Sequence, residues 1–230
     1  MSLKVHPLLE SDPKEWEEWV DAMFRQLSAR EVTTEVNDAL EHATPEHLAK
    51  LADVFSARTD PAFKAALTGV AWAAAGPGRL SSANIDSLTK LAGAFTKIDL
   101  DLNDDDVATA VEAVAMEVAA RGDDLLPQAN IEQIATLAGA FWGHDDSDFQ
   151  DPSNFNDAMA ALALQVTARG DALLPQASAE QLATMKAAFG GPDILELGYP
   201  GAFVKVDEET KKRERDFSGP IISALTILEM

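Results

Sequence analysis

The chain has 230 residues, 47% of them apolar, and 39 acidic against 18 basic side chains give a formal charge of −21. That charge repels DNA, RNA and anionic lipid surfaces, and the absence of cysteine excludes disulfides, zinc–thiolate sites and thiol chemistry. Alanine supplies much of the apolar share and the chain has a single tyrosine, so helix is expected throughout and sheet almost nowhere.

The opening stretch, Met1 to Pro7, has no apolar core of a secretory leader, and the longest apolar run, Pro220 to Leu228, is far short of the ~20 residues of a membrane helix. A soluble, cytoplasmic protein without a membrane partner is the expectation. Asp12-Pro13 reads as an N-cap followed by proline at the first helical position, and Trp16, Trp19, Val20, Met23, Phe24 and Leu27 follow one helical stripe. Residues 1–30 are therefore expected to form a capping helix.

From there a short helix is spelled four times, each copy ending in phenylalanine: Thr44 to Phe55, Asn84 to Phe95, Asn130 to Phe141 and Ser178 to Phe189. The phenylalanines lie 40, 46 and 48 residues apart, the spacing of two-helix repeats stacked on one another. Thr44, Asn84, Asn130 and Ser178 are all N-cap types, and Glu46, Asp86, Glu132 and Glu180 place negative charge at the positive end of each helix. Gln133 and Gln181 complete capping boxes with Asn130 and Ser178. Leu48, Leu88, Ile134 and Leu182, then Leu51, Leu91, Leu137 and Met185, form the core stripe. Gly93 and Gly139 at mid-helix imply a close neighbour, and Lys186 in place of Ala52, Ala92 and Ala138 marks the fourth copy as terminal.

First helices are expected at 31–42, 61–75, 104–120 and 153–168, with stripes such as Val107, Val111, Val114 and Val118. Their exits, Arg121-Gly122-Asp123 and Arg169-Gly170-Asp171, spell an adhesion tripeptide. It reads as structural, with the arginine at the negative end of a helix and the glycine as a left-handed cap before Pro127 or Pro175. Trp72, aligned with Met116 and Leu164, is expected in the core. The fold is thus an all-α solenoid, HEAT- or armadillo-like, of four helix pairs (31–56, 61–97, 104–142 and 153–190). Residues 191–230 follow as an irregular segment, a charged helix and an apolar tail that form a C-terminal cap.

Between Ile98 and Met185 there are 17 acidic residues against Arg121 and Arg169 alone. Two connections concentrate the acid: Asp99, Asp101, Asp104, Asp105 and Asp106 in one, and His144, Asp145, Asp146, Asp148 and Asp151 in the other. Because equivalent connections emerge on one edge of a repeat stack, these residues are the candidate binding site, an acidic edge for a protein partner with a basic surface. No metal is assigned to them: the run from Asp99 has Asp104 where a calcium loop needs glycine and Ala110 where it needs glutamate.

The four histidines, His6, His42, His47 and His144, stand in no nucleophile or zinc motif, and no glycine-rich phosphate loop is present. No catalytic residue and no cofactor is therefore assigned, and a protein-binding scaffold is the expected function. The segment Leu126 to Phe141 resembles the repeats of octotricopeptide and FAST-kinase-type proteins, a likeness extending over about Pro61 to Phe189. The resemblance implies a helical-repeat fold and RNA binding, whereas the repeat surface here is acidic and disfavours nucleic acid. The alternatives to a protein-binding scaffold are thus an RNA-binding repeat protein drawing on the basic cluster Lys211 to Arg215, or a fragment of a larger effector.

Overall fold

The computed structural model describes residues 40, 43–57, 61–97, 105–142, 153–190 and 199–228. All regular elements among them are helical: α1 (Pro45–Ser56), α2 (Pro61–Ala75), α3 (Ile85–Phe95), α4 (Asp105–Leu125), α5 (Ile131–Trp142), α6 (Ser153–Leu173), α7 (Ala179–Gly190) and α8 (Pro200–Leu228). The expected capping helix, and the first helix at 31–42 apart from Leu40, lie outside the described residues. Helices α2, α4, α6 and α8 pack on one another in succession, as do α1, α3, α5 and α7, giving two layers of neighbouring helices.

The short helices begin where their caps dictate. Ser87 N–H donates to Asn84 Oδ1 at 2.8 Å, and Asn130 and Gln133 exchange backbone-to-side-chain bonds of 2.8 and 3.0 Å. Ser178 and Gln181 repeat the exchange, and Thr44 with His47 makes a box that the Gln-based pattern misses. Each cap satisfies a backbone N–H that has no intrahelical acceptor. The four phenylalanines are buried, and two of them meet an aromatic ring that opens the next helix: Phe55 with Phe63 and Phe141 with Phe155, both at 5.9 Å.

Two expected helix ends are corrected. Helices α4 and α6 run through Gly122 and Gly170 to Leu125 and Leu173, and each then tightens into a 3-10 turn, Leu126–Gln128 or Leu174–Gln176. Among the described glycines only Gly78, with φ of 68°, is left-handed. Gly122 and Gly170 are small because of crowding: a Cβ on Gly122 would lie 3.2 Å from Ala161 Cβ, and one on Gly170 would lie 3.0 Å from Lys205 Cδ. Proline at 127 and 175 stops the α-helix, and the glycines before it pass close to the next helix.

Residues 200–206, expected to be irregular, are the first turns of α8, and this helix repeats the register of α4 and α6. Tyr199, Ala202 and Val206 are buried where α6 buries Phe155, Ala158 and Leu162, a shift of 44 residues in each case. The Tyr199 hydroxyl donates to Asn156 O at 2.6 Å, and burial, reinforced by the Asp157 charge, pushes its pKa up. The fourth copy therefore does not face an open end: α7 packs on α8, and Lys186 makes a 2.7 Å ion pair with Asp207, which stands where α4 and α6 carry Ala115 and Ala163.

A second regularity joins successive helix pairs. Each pair holds a turn in which alanine N–H bonds back to a leucine carbonyl, at Leu40/Ala43, Leu80/Ala83, Leu126/Ala129 and Leu174/Ala177. An arginine of the following pair reaches into it. Arg79 donates to Leu40 O at 2.6 Å and Arg121 to Ala83 O at 3.0 Å. Arg169 bridges Leu126 O at 2.8 Å and Ala129 O at 3.0 Å, and Arg213 bridges Leu174 O at 2.9 Å and Ala177 O at 2.7 Å. The fork of a guanidinium suits two carbonyls at once, and its charge strengthens both bonds. Arg121 and Arg169 thus serve structure, as expected of the tripeptides, but by clasping the preceding turn and not by ending a helix.

Candidate interaction surface

Of the acidic edge, Asp99, Asp101, Asp104, His144, Asp145, Asp146, Asp148 and Asp151 lie outside the described residues. Asp105 and Asp106 are the first two residues of α4. Among the described residues, no three His, Asp or Glu side chains are grouped to hold a metal ion.

The surface that does stand out centres on Trp72, expected in the core. Trp72 is 69% exposed, Met116 50% and Leu164 67%. They occupy equivalent positions on α2, α4 and α6, each two residues after a fully buried Val70, Val114 or Leu162. At 100° per residue, two residues turn a side chain about 200° away, onto the face opposite the core. Since α2, α4 and α6 are consecutive packed helices, the three side chains form one row across that layer. The correction has a simple origin. These helices carry alanine on nearly every side, so apolar character alone does not single out the buried face, whereas the offset from the valine stripe does.

The surroundings of the row are small and weakly polar. Ala65, Ala120 and Ala168 are exposed on the same layer, and Val204 of α8 is 49% exposed. Thr68 and Thr167 turn their hydroxyls back onto their own helix, donating to Lys64 O and Ala163 O. Glu112 is buried beside the row and accepts from Asn154 Nδ2 at 3.3 Å, which ties α4 to α6. No exposed residue of α2, α4 or α6 is basic. Asp123, Asp124 and Asp157 are exposed around the row, Asp171 is exposed and paired with Lys205 of α8 at 2.7 Å, and Glu208 of α8 is exposed at the row's next position.

The opposite layer is closely packed at its mid-helix glycines. A Cβ on Gly93 would stand 3.1 Å from Thr136 Cγ2, and one on Gly139 would stand 2.8 Å from Thr184 Cγ2, so the mid-helix glycines do let neighbouring helices approach. Gln133 Nε2 also donates to Asp86 Oδ1, bridging α5 to α3. A shallow groove of about 460 Å³ crosses this layer between Lys97, Glu132, Thr136 and Thr184. A larger one, of about 1000 Å³, lies between the Leu174–Gln176 turn and α8.

The basic cluster on α8 is largely consumed within the molecule. Lys211 pairs with Asp207 at 2.7 Å, Lys212 with Glu209 at 3.4 Å, and Arg213 with Glu209 and the Leu174–Ala177 turn. Hydrogen bonds from Lys186 and Lys211, reinforced by their charges, hold Asp207 below the ordinary carboxylate range; the same contact raises Lys211. Cations neutralised in this way offer little to a phosphate backbone. Comparison with known proteins finds no matching family model, no matching curated protein and no matching solved structure.

Proposed function

We propose that this chain is an α-solenoid of the HEAT or armadillo kind that works as a protein-binding scaffold without catalytic chemistry of its own. The observation that carries this reading is the row of Trp72, Met116 and Leu164, three large apolar side chains held in the open at equivalent places on consecutive helices. A lone exposed apolar residue needs no explanation, but a contiguous set in a highly charged protein marks a surface meant to be covered. Tryptophan is also the residue type most enriched at binding hot spots. With 69% of Trp72 exposed, its burial by a partner stands to contribute up to about 4 kcal/mol before the costs of association.

The acidic edge from Asp99 to Asp106 and from His144 to Asp151 remains part of the proposal as a source of long-range attraction for a basic partner, which would act mainly on the association rate. A photo-reactive side chain at position 72 or 116 should form adducts with partner proteins that the same group at Lys90, on the opposite layer, does not. Equal adducts at all three positions would overturn the assignment. Charge reversal at Asp145, Asp146 and Asp148 separates the two surfaces: slower association with the same contact face supports a steering role for the edge.

A further inference from the structure

We infer that the occupant of the row is an amphipathic α-helix, laid across α2, α4 and α6, with apolar residues one heptad apart and a lysine or arginine in the next heptad facing Glu208. The inference rests on the protein-binding reading and names the chemistry of the partner.

Spacing comes first. Packed helices lie about 8–10 Å apart, so Trp72, Met116 and Leu164 recur at about that interval. A crossing α-helix rises about 10.5 Å in seven residues and returns nearly to the same face, so residues i, i+7 and i+14 meet the three in turn. An extended strand advances about 6.6 or 13 Å between residues on one face, and neither interval fits.

Backbone chemistry comes second. The face offers alanine methyls, and the hydroxyls of Thr68 and Thr167 are already bonded to their own helix. It has little to give the peptide groups of an extended or polyproline segment, whereas a helix satisfies its own.

Charge comes third. Past Leu164 the row continues to Glu208, which is exposed and forms no ion pair with a described residue, its charge acting on the neighbouring Lys211 without a close contact, and Asp123 and Asp124 stand on the same face beyond Met116. The exposed positions of α2, α4 and α6 include no cation. A helix with a basic residue one heptad beyond its apolar set therefore matches the surface in both polarity and register.

The test uses the full chain and labelled synthetic helices of about 25 residues. They carry leucines one heptad apart followed by lysine, are made in both sequence directions, and are compared with glutamate counterparts and a proline-rich peptide by fluorescence anisotropy. The lysine helix is expected to bind tighter than about 100 µM in one direction. Trp72→Gln or Leu164→Gln should weaken it more than about tenfold with Tm unchanged, and Glu208→Lys should reverse the preference between lysine and glutamate. Absence of binding, binding indifferent to these substitutions, or tighter binding of the proline-rich peptide overturns the helical occupant. If no helix binds while the photo-reactive group at position 72 still gives adducts absent at Lys90, the docking face stands and the occupant is wrong. Chain-to-chain adducts would identify a second copy instead and likewise refute the inference, and no adducts and no binding would remove the docking face as well.

Discussion

Replacing Arg169 by alanine tests whether the arginine clasp joins successive helix pairs. Arg169 bonds Leu126 O at 2.8 Å and Ala129 O at 3.0 Å. After truncation Leu126 O keeps the Ala129 N–H at 3.0 Å, while Ala129 O loses its guanidinium donor in a residue with no exposed surface. A hydrogen bond to a charged group contributes about 1.5–3 kcal/mol, and two bonds that share one half-buried guanidinium do not add fully. The expected loss is about 2–3 kcal/mol. In urea unfolding, with a slope of about 2 kcal/mol per M, this lowers the midpoint by about 1 M or slightly more. Arg121→Ala should cost less, about 1–2 kcal/mol. It gives up one carbonyl, Ala83 O, and an i,i+4 contact with Glu117 at 3.3 Å of the kind usually worth a few tenths. Arg169→Lys should recover less than half, because an ammonium lacks the fork that spans two carbonyls. Lys90→Ala, an exposed cation on α3, is the control, with an expected effect under about 0.5 kcal/mol. The reasoning fails if Arg169→Ala matches Lys90→Ala, or if lysine restores native stability.

Three further outcomes follow from the packing. Asn130→Ala should cost about 1 kcal/mol in urea unfolding, because Gln133 N–H loses the cap oxygen it now meets at 3.0 Å; a change under about 0.3 kcal/mol would show that the cap carries no weight. Gly139→Ala should destabilise despite alanine's helix advantage of about 1 kcal/mol, since its Cβ would stand 2.8 Å from Thr184 Cγ2, and the same change in a Thr184→Ser background should stabilise. A stabilising Gly139→Ala in the native chain would contradict this. Asp207→Asn should lower the urea midpoint at neutral pH, because hydrogen bonds from Lys186 and Lys211 favour the folded carboxylate. A depressed folded pKa gives stability that is present above the unfolded value of about 3.9 and lost as pH falls through the folded one, so the gap between variant and native should close only in acid below that range. A gap unchanged between pH of about 7 and about 2 would refute it.

The residues that punctuate helices were the most legible. Pro61 and Ser153 open α2 and α6 where the pattern places them, and the cap types mark every short helix, because a cap is a local contact between residues three apart. Gly122 and Gly170 were misread because glycine before proline looks the same whether the chain needs a left-handed turn or room for Ala161 and Lys205, and only the neighbouring helix distinguishes the two. Trp72, aligned with Met116 and Leu164, is expected in the core as a tryptophan on a helix, although two residues from a buried valine or leucine is the wrong side of a helix. The clasp escaped because carbonyl acceptors leave no mark in a sequence. Its one visible trace is an arginine 44 residues beyond Arg169, inside what looked like an ordinary charged run. The candidate acidic site was legible as composition only: its residues lie on connections whose lengths differ between repeats, and helical periodicity has no hold on them.

The clasp also bears on how such a chain can grow. The receiving half of each joint is one or two peptide carbonyls, so it is written into the shape of a turn and not into any particular side chain. The donating half is one arginine, on a helix in three of the four joints and in the turn after α2 at Arg79. A duplicated helix pair therefore brings its own donor and finds a ready acceptor in whatever copy precedes it, without a matching substitution elsewhere. The acceptors in a joint of this kind are carbonyls and not carboxylates, so aspartate and glutamate can be added to the outer surfaces without competing for its acceptor positions.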